Sequence, residues 1–525
     1  MRLGRILLAG CGVATALVAQ PALAASDCAA LIGLKLANGK VTAADLVAPG
    51  KFEQPGLPGN LPPGVANAAY RNLPEFCRVQ ATLTPSADSD IKVEVWLPAS
   101  GWNGKFVGIG NGIWAGQLSY SQLADPLQRG FAVATTDTGH SGNGLTAEWA
   151  IGHPEKLVDF GYRAVHEMVV TAKAAIGQFY GSGPKLSYWN SCSTGGRQGL
   201  MAAHRYPADF DVISAMAPAN PMTDLMTQSM WAGWQPQRAP GAALSVPQLA
   251  AVHRAVVKQC DKLDGLEDGL IGRPDMCRFD PASVTADDGS KLLTPVQVET
   301  MRALYDGVPD GKGGTLLPGF PVGSEMQLAM LVGGQQPFPV AYTYFSMLVF
   351  GDKPGWDWKT FDYQRDTLLS RSYGAGILNV PSDGLGPFFA RGGKLLLSHG
   401  WNDGLIPAWN TIGFYKGLLS ALPAQQAQDQ LRLFMVPGMD HCSGGEGTSD
   451  FDTLGVMEQW AASGKAPERI AAARPTTVQG FPGAPPAPPR APLSRPLCPY
   501  PLYAEYKGAG DPADAASFAC VAPKA

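Results

Sequence analysis

The sequence predicts an α/β protein with a mostly parallel sheet and one large insertion. Three observations predict this class. Strand-like and helix-like segments alternate in the first part of the chain, a serine stands on a sharp turn between a strand and a helix, and the strand pattern stops over residues 218–389 before it resumes. Strand, helix, strand is the repeating unit of sheets whose strands run parallel.

The N-terminus has the pattern of a secretory signal peptide. Arg2 and Arg5 precede an apolar stretch over residues 6–18, and small residues follow it. We therefore expect residues 1–24 to be removed and the mature protein to be secreted or periplasmic. The alternative is a bacterial lipoprotein cleaved before Cys11, but that cut would leave an apolar region below the usual minimum length.

Composition excludes some classes of protein. The chain has 525 residues, of which 45% are hydrophobic and 16% charged, with a formal net charge of -4. These values are typical of a globular protein. No run of basic residues is present to neutralise phosphates, so nucleic acid is not expected as a partner. The sequence indicates no stable membrane span and no organic cofactor, and it leaves the oligomeric state open.

The predicted sheet is assembled from short apolar segments. The strand-like segments are residues 91–97, 104–110, 130–137, 186–193, 212–217, 394–398 and 431–436. Residues 162–180 carry apolar side chains at helical spacing before Gly181 and Pro184. Residues 197–204 form a second helix-like segment. Functional side chains collect on loops at the carboxyl ends of parallel strands, so the loops after the later segments are the expected site.

The insertion lacks the strand pattern and is rich in aromatic residues. We expect residues 25–217 and 390–525 to form the core domain and residues 218–389 to form a lid domain over its site. The alternative is a second domain with a function of its own. A proline-rich stretch and two cysteines follow near the C-terminus, so we expect the tail to be tied back onto the body.

Ser193 is the candidate nucleophile. It lies in the sequence Ser-Cys-Ser-Thr-Gly-Gly, after a strand-like segment and before a helix-like one. A serine on such a turn resembles the nucleophile elbow of α/β-hydrolases. Ser191 replaces the first glycine of that motif, and its small size makes the replacement tolerable. The alternative is a plain strand-to-helix turn.

A serine nucleophile needs an imidazole base and a carboxylate that orients it. In α/β-hydrolases the three residues follow the order serine, acid, histidine. His441 is the only histidine after His399, and Asp403 directly follows a predicted strand, so Asp403 and His441 are the candidates. The alternatives are that Asp403 is only a turn residue, or that Asp440 is the acid instead. His399 is interpreted as a supporting or core histidine.

An acyl-transfer site also needs donors for the oxyanion. The backbone N–H of Thr194, directly after the candidate nucleophile, should supply one. The glycine-rich residues 108–112 should supply the second, and Gly110 is the candidate. Glycine-rich loops also occur simply as tight turns.

Removing Cys11 with the signal peptide leaves eight of the nine cysteines, an even number in an exported chain. Eight cysteines allow about a hundred pairings, and sequence alone cannot choose among them. Proximity suggests the pairs Cys28 with Cys77, Cys260 with Cys277, and Cys498 with Cys520, which leaves Cys192 with Cys442. Cys192 precedes Ser193 and Cys442 follows His441, so this last bridge would hold nucleophile and base together. Its alternative role is only to staple the fold.

A loop in the insertion has the composition of a metal site. Asp261, Asp264 and Asp268 stand close together with glycines between them. Carboxylates crowded on one loop repel each other unless a hard cation bridges them, and Ca²⁺ accepts such ligands. The spacing is not that of an EF-hand. We expect a structural ion; a solvated acidic turn is the alternative.

Together these motifs resemble the tannase and feruloyl esterase family, which includes mono(2-hydroxyethyl) terephthalate hydrolase. The matching segments are Cys192–Ser193, the Asp403 segment, His441–Cys442, the 260–269 loop, and residues 136–140, 436–445 and 495–500. The resemblance extends over nearly the whole mature chain. Each motif alone is weak, and the combination is specific.

The resemblance implies an α/β-hydrolase fold with a lid, the triad and bridge named above, and Ca²⁺ in the lid with backbone carbonyls of Leu266 and Leu270 as further ligands. It also implies hydrolysis of esters of aromatic acids. Members that act on terephthalate half-esters hold the second carboxylate with a lid arginine, and residues 335–358 offer no equivalent. Feruloyl or related hydroxycinnamoyl esters are therefore the first expectation, with gallate or terephthalate half-esters as alternatives.

Overall fold

The computed structural model describes residues 27–56, 67–286, 288–353, 355–477 and 489–523. The predicted signal peptide, its cleavage site and Cys11 lie outside the described residues. Within the described ranges, no helix has both the length and the apolar character that crossing a membrane requires.

Strands occur throughout the body and in short hairpins. They are β1 (Lys35–Leu36), β2 (Gly39–Val47), β3 (Phe76–Leu83), β4 (Ile91–Pro98), β5 (Lys105–Ile109), β6 (Ala132–Thr136), β7 (Leu186–Cys192), β8 (Val212–Met216), β9 (Val308–Pro309), β10 (Thr315–Leu317), β11 (Lys394–Gly400), β12 (Leu431–Val436), β13 (Ile470–Ala473), β14 (Ser494–Leu497), β15 (Tyr503–Tyr506) and β16 (Phe518–Val521).

Ten of these strands form one sheet in the order β1-β2-β3-β4-β6-β5-β7-β8-β11-β12. The five pairings from β6 to β12 are parallel, as predicted. The four pairings from β1 to β6 are antiparallel. The sheet is therefore mostly parallel, with an antiparallel edge whose strands β1, β2 and β3 the sequence analysis did not identify.

The α-helices follow the strands and fill the insertion. They are α1 (Tyr120–Gln128), α2 (Pro154–Val158), α3 (Ala164–Tyr180), α4 (Thr194–Arg205), α5 (Met222–Trp234), α6 (Val246–Cys260), α7 (Pro295–Asp306), α8 (Glu325–Val332), α9 (Pro339–Thr343), α10 (Tyr363–Leu378), α11 (Gly386–Ala390), α12 (Ala408–Ala421), α13 (Ala424–Gln430) and α14 (Thr453–Ser463). Helix α3 ends as predicted, because Gly181 adopts the left-handed conformation that terminates it (φ 76°).

The sheet is buried on both faces. In β4, Val93 and Val95 join the apolar cluster that contains Met168 of α3, whereas Trp96 joins the cluster that contains Leu123 of α1. Successive side chains of a strand point to opposite faces, so helices cover each side of the sheet. Burial on both faces explains why the central strands are continuous apolar runs.

The segment between β8 and β11 contains helices α5 to α11 and the hairpin β9–β10, and none of its described strands joins the main sheet. Its side chains form one cluster of their own and share another with the body. In the shared cluster, Trp114 and Phe160 of the body pack with Met222 and Tyr344 of the insertion. The division into a core domain and a lid domain at residues 218–389 stays a prediction.

Four disulfides are present among the described residues, and they are the four predicted pairs. Their members are Cys28–Cys77, Cys192–Cys442, Cys260–Cys277 and Cys498–Cys520. The Cys192–Cys442 bridge joins positions 250 residues apart, with 5.8 Å between the Cα atoms. It therefore links the turn after β7 to the loop after β12.

Candidate active site

Ser193 occupies a strained turn between β7 and α4. Its backbone has φ 62° and ψ -126°, a conformation that non-glycine residues rarely adopt. The chain can turn this sharply because two glycines follow. A Cβ at Gly195 would lie 2.0 Å from Ser191 Oγ, and one at Gly196 would lie 2.7 Å from Met216 O. Ser191 is thus accommodated in place of the usual glycine because Gly195 has no side chain.

Asp403 and His441 meet at the carboxyl ends of β11 and β12. Asp403 Oδ2 lies 2.7 Å from His441 Nδ1. Asp403 Oδ1 accepts hydrogen bonds from the backbone N–H groups of Leu405 (2.9 Å) and Ile406 (2.8 Å). An ionised carboxylate only accepts hydrogen bonds, so His441 Nδ1 carries the proton and Nε2 is left to act as an acceptor.

Asp403 is fully buried, and its environment keeps it ionised. Burial by itself would raise its pKa, but the charge of His441 and the hydrogen bonds from His399 and His441 hold the pKa of Asp403 well below its ordinary value. His399 Nε2 lies 3.1 Å from Asp403 Oδ2, and His399 Nδ1 lies 2.8 Å from Thr411 Oγ1. His399 is thus a buried, hydrogen-bonded neighbour of the carboxylate, as the sequence analysis interpreted it.

Asp440, the alternative acid, does not hydrogen-bond to the His441 ring, which within the described residues pairs with Asp403. Burial, followed by the nearby charges of Asp403 and Glu446, raises the pKa of Asp440 to about 7. A carboxyl that is half protonated at neutral pH is a weaker partner for an imidazolium than an ionised one. The geometry therefore favours Asp403.

The disulfide lies directly beside the candidate base. The sulfurs of Cys192 and Cys442 and a ring nitrogen of His441 all lie within 4.8 Å of one another. Because the two sulfurs are bonded to each other, they offer no thiolate to a metal. The bridge brings Ser193 and His441 to one place, and both side chains line the same cavity.

No hydrogen bond joins Ser193 Oγ to His441 within the described part of the chain. Such contacts are commonly loose in a site without substrate and tighten when substrate binds. What the structure supplies is the acid–base pair, the strained serine and a covalent link between their loops.

The two predicted oxyanion donors occupy different positions. Thr194 is the first residue of α4, where the backbone N–H has no acceptor within the helix, and it lines the cavity with Ser193. Gly110 is not among the described residues that line the cavity, and a Cβ at this position would meet Gln198 Oε1 at 2.5 Å. From the same loop it is Ile113 that reaches the cavity. Gly110 as the second donor stays a prediction.

A cavity of about 90 Å³ opens above Ser193 and His441. Both the body and the insertion contribute to it, and almost all of the side chains are apolar. Its lining residues are Ile113, Ser193, Thr194, Ala219, Met222, Leu225, Met226, Ser229, Leu331, Phe338, Val340, Leu405, Ile406 and His441. Apart from the candidate catalytic residues and Thr194, only Ser229 has a polar side chain, and no described lining residue is an arginine or a lysine. The cavity suits an apolar or aromatic group.

The predicted metal loop lies between α6 and α7, at a distance in sequence from the triad. The disulfide between Cys260 and Cys277 closes it, and the carboxylate residues Asp261 and Asp264 are buried. Asp261 accepts backbone hydrogen bonds from Asp268 (3.2 Å) and from the glycine that follows it (2.8 Å). The loop thus gathers three carboxylates at a partly buried position.

The loop carboxylates also have protein partners. The N–H groups of Leu266 and Leu270 donate to Asp264 (3.2 Å) and Asp268 (3.0 Å), and Arg495 forms an ion pair with Asp268. Among the described residues, the oxygens of the three carboxylates do not all lie within 4.8 Å of one another. The donor types suit Ca²⁺, and binding would require the carboxylates to converge.

The sequence analysis did not identify one polar group beside the candidate triad. Gln327 of α8 and His253 of α6 contact the loop that carries His441 and Glu446. Glu325 of α8 pairs with the other ring nitrogen of His253. These residues belong to no motif, because they lie on ordinary helices of the insertion. Only an unexplained polar residue inside an apolar helical pattern, such as Glu325, could have suggested them.

Comparison with known proteins places this site in a family. The profile described as tannase and feruloyl esterase matches residues 77–521. An uncharacterized esterase of Xanthomonas campestris pv. campestris is 32% identical, and the match covers 95% of this chain and 92% of that protein. A probable feruloyl esterase B-2 of Aspergillus terreus is also 32% identical, and the match covers 85% of this chain and 86% of that protein.

Solved structures agree with the sequence comparison. The crystal structure of feruloyl esterase B from Aspergillus oryzae superposes with a TM-score of 0.80 at 28% identity, covering 93% of this chain and 97% of that one. The predicted fold class is therefore confirmed. The chain is a carboxylic ester hydrolase with an α/β-hydrolase fold, and it belongs to the tannase and feruloyl esterase family.

Proposed function

We propose that this protein is an exported serine esterase that hydrolyses esters of phenolic acids, with feruloyl and related hydroxycinnamoyl esters as its preferred substrates. One observation carries the proposal. His441 Nδ1 lies 2.7 Å from Asp403 Oδ2, and His441 and the strained Ser193 line one apolar cavity. Side chains of the insertion line the same cavity. The names of the relatives from Aspergillus support the same substrate class.

In the first half of the reaction, Ser193 Oγ attacks the ester carbonyl while His441 Nε2 takes the hydroxyl proton. Asp403 holds the ring with Nδ1 protonated and stabilises the imidazolium that forms. The backbone N–H groups of Thr194 and Gly110 stabilise the negative charge on the carbonyl oxygen. His441 then gives its proton to the leaving alcohol.

In the second half, a water molecule replaces the alcohol. His441 takes a proton from that water as its oxygen attacks the acyl-enzyme carbonyl. Collapse of the tetrahedral intermediate breaks the bond to Ser193 Oγ, which regains its proton from His441, and the free aromatic acid leaves.

The lining of the cavity argues for a feruloyl group over its alternatives. A terephthalate half-ester would bring a second carboxylate among Met226, Leu331 and Phe338 without a cation to pair with it, which is strongly unfavourable. A galloyl ring carries three hydroxyls, and each one buried without a partner costs about 1–3 kcal/mol. A feruloyl ring carries one hydroxyl and one methoxy group, so the single hydroxyl of Ser229 leaves fewer of its polar groups without a hydrogen-bond partner.

A panel of esters tests the proposed specificity. We expect kcat/KM for methyl ferulate to exceed that for methyl gallate by about tenfold or more, since the galloyl ring carries two more hydroxyls and even one left unpaired costs about 1–3 kcal/mol. Mono(2-hydroxyethyl) terephthalate should be the poorest substrate. A preference for methyl gallate would contradict the assignment of feruloyl esters as preferred substrates. Loss of all turnover in Ser193→Ala tests the serine mechanism independently of this preference.

The calcium expectation becomes part of the proposal. Asp261, Asp264 and Asp268 would bind Ca²⁺ with backbone carbonyls of Leu266 and Leu270, and the ion would offset most of the repulsion among three carboxylates on one short loop. We expect chelation to lower the melting temperature of the parent protein and added Ca²⁺ to restore it. The melting temperature of Asp264→Asn should change neither on chelation nor on addition of Ca²⁺. An unchanged melting temperature in the parent protein would count against the ion.

Export is also proposed rather than established. Four disulfides among the described residues suit an oxidising compartment, and residues 1–24 have the composition of a signal peptide. The N-terminal sequence of the mature protein would test this directly, with Ala25 as the expected first residue.

A further inference from the structure

Helix α8 of the insertion contacts both loops that carry the acid–base pair. The side-chain oxygen Oε1 of Gln327 accepts hydrogen bonds from the backbone N–H of Gly404 (2.9 Å) and of His441 (3.0 Å). Gly404 directly follows Asp403. A single amide oxygen from the insertion therefore joins the loop of the acid to the loop of the histidine.

The acid loop lies directly against the start of this helix. A Cβ at Gly404 would lie 2.4 Å from the backbone nitrogen of Leu328 and 2.7 Å from the carbonyl carbon of Gln327. Any side chain at position 404 would push the loop away from α8. The glycine is thus required by close contact between loop and helix, independently of the hydrogen bonds.

The helix itself is fixed by a buried carboxylate. Glu325 is fully buried and accepts hydrogen bonds from His253 Nδ1 (2.8 Å), Tyr305 Oη (2.8 Å) and the backbone N–H of Gly323 (2.8 Å). Buried carboxylates with several donors resist displacement because moving them leaves a charge unpaired. Gln327 is therefore presented from a rigid position.

The same network reaches the histidine loop a second time. His253 Nε2 lies 3.0 Å from Glu446 Oε2, so the imidazole stands between the carboxylates of Glu325 and Glu446. Both ring nitrogens face acceptors and both must donate, which makes His253 an imidazolium. The segment from His441 to Glu446 is thereby held by the insertion at both ends.

We infer that Gln327 is a positioning residue whose Oε1 sets the spacing between Asp403 and His441, so that the insertion completes the geometry of the triad. Gln327 is absent from the described lining of the cavity, and it acts through the two backbone N–H groups and not on substrate. This inference rests on the proposed serine mechanism. It predicts that the insertion controls the rate of acylation separately from its contact with the acyl group.

The experiment replaces Gln327 in the full protein and measures the reactivity of Ser193. Gln327→Met keeps the length of the side chain and removes the acceptor, leaving the N–H groups of Gly404 and His441 unpaired. Gln327→Glu keeps an acceptor oxygen. Met326→Gln, at a neighbouring position of α8 that is 43% exposed, is the matched control.

Two readouts are compared: the second-order rate of labelling by a fluorophosphonate, and kcat and KM for p-nitrophenyl acetate. For Gln327→Met we expect the labelling rate and kcat to fall about 10–100-fold with KM within about twofold of the parent value, as expected for misplaced catalytic groups. Gln327→Glu should keep most of the parent labelling rate and kcat, and Met326→Gln should have the parent values of both. Melting temperatures are measured alongside.

Several results would overturn the inference. Labelling of Gln327→Met at the parent rate would do so, and so would equal losses in Gln327→Met and Gln327→Glu, because the acceptor would then be irrelevant. If Gln327→Met does not fold, Gln327→Asn, which withdraws the amide by one methylene, is measured against the same expectation. A parent protein that the fluorophosphonate does not label at Ser193 would instead refute the proposed function.

Discussion

The Cys192–Cys442 disulfide offers a test that separates stability from catalysis. In the chain-entropy model a bridge that closes 250 residues contributes about 5 kcal/mol to the free energy of unfolding, whereas one that closes 22 residues contributes about 3 kcal/mol. The shorter bridge, Cys498–Cys520, therefore serves as a matched control whose cysteines are not among the described residues that line the cavity.

Each pair is replaced by alanine in the full protein. Urea unfolding gives the loss of stability, and kcat for an aryl ester is measured at a temperature well below the lower melting point. We expect both variants to be less stable, the Cys192–Cys442 variant by about 2 kcal/mol more. Only that variant should lose kcat, by about 100-fold, because the loops of Ser193 and His441 are no longer joined.

The outcome that would refute this reasoning is specific. If the Cys192→Ala/Cys442→Ala protein is folded and keeps the parent kcat, the bridge stabilises the chain without positioning the reactive groups. Loss of kcat in the Cys498→Ala/Cys520→Ala control would show that general loosening, and not the position of the bridge, accounts for the effect.

Three further predictions follow from the site. Asp403→Asn should lower kcat by about 10⁴-fold while Asp440→Asn changes it by less than about tenfold, since only the former removes the partner of the imidazole; equal effects would contradict the assignment of the acid. Gly195→Ala should abolish soluble activity by collision with Ser191, and adding Ser191→Gly should restore part of it, a double-mutant cycle that fails if the two changes are additive. Burial by itself would lower the pKa of His253, but two carboxylates raise it to about 10. The stabilisation that the charged His253 contributes is therefore complete below about pH 6.5 and is lost as the pH rises through about 10. His253→Gln should flatten this loss of stability with pH in urea unfolding, and an unchanged pH dependence would count against the network.

The central fold could be predicted because its signals are local. Strands such as β7 and β12 are short apolar runs buried on both faces, and their positions agree closely with the structure. Strand β2 is not predicted from the sequence because only Val41 of its nine residues is buried and its apolar residues do not alternate. Strand β3 does alternate, with Val79, Ala81 and Leu83 buried, so the sequence carries a local signal for it.

The candidate site also contains residues that local motifs predict and residues that they do not. The paired positions of Asp403 and His441 could be predicted because each stands in a short motif after a strand. The hydrogen bonds of Gln327 span 77 and 114 residues, and the contact between His253 and Glu446 spans 193. Contacts of this kind depend on how the insertion folds back over the sheet, and no periodicity or spacing in the sequence encodes them.

The packing of Trp114 limits how this enzyme can be altered. Trp114 is fully buried, its indole N–H donates to Val340 O, and its ring stacks near Tyr344, so one of the largest side chains of the body is enclosed by the insertion. Replacing this insertion with one from another protein would expose the indole of Trp114 to water, unless the new insertion supplied equivalents of Val340 and Tyr344. New substrate preferences are therefore more accessible through single substitutions at positions such as Met226 or Ser229 than through exchange of whole modules.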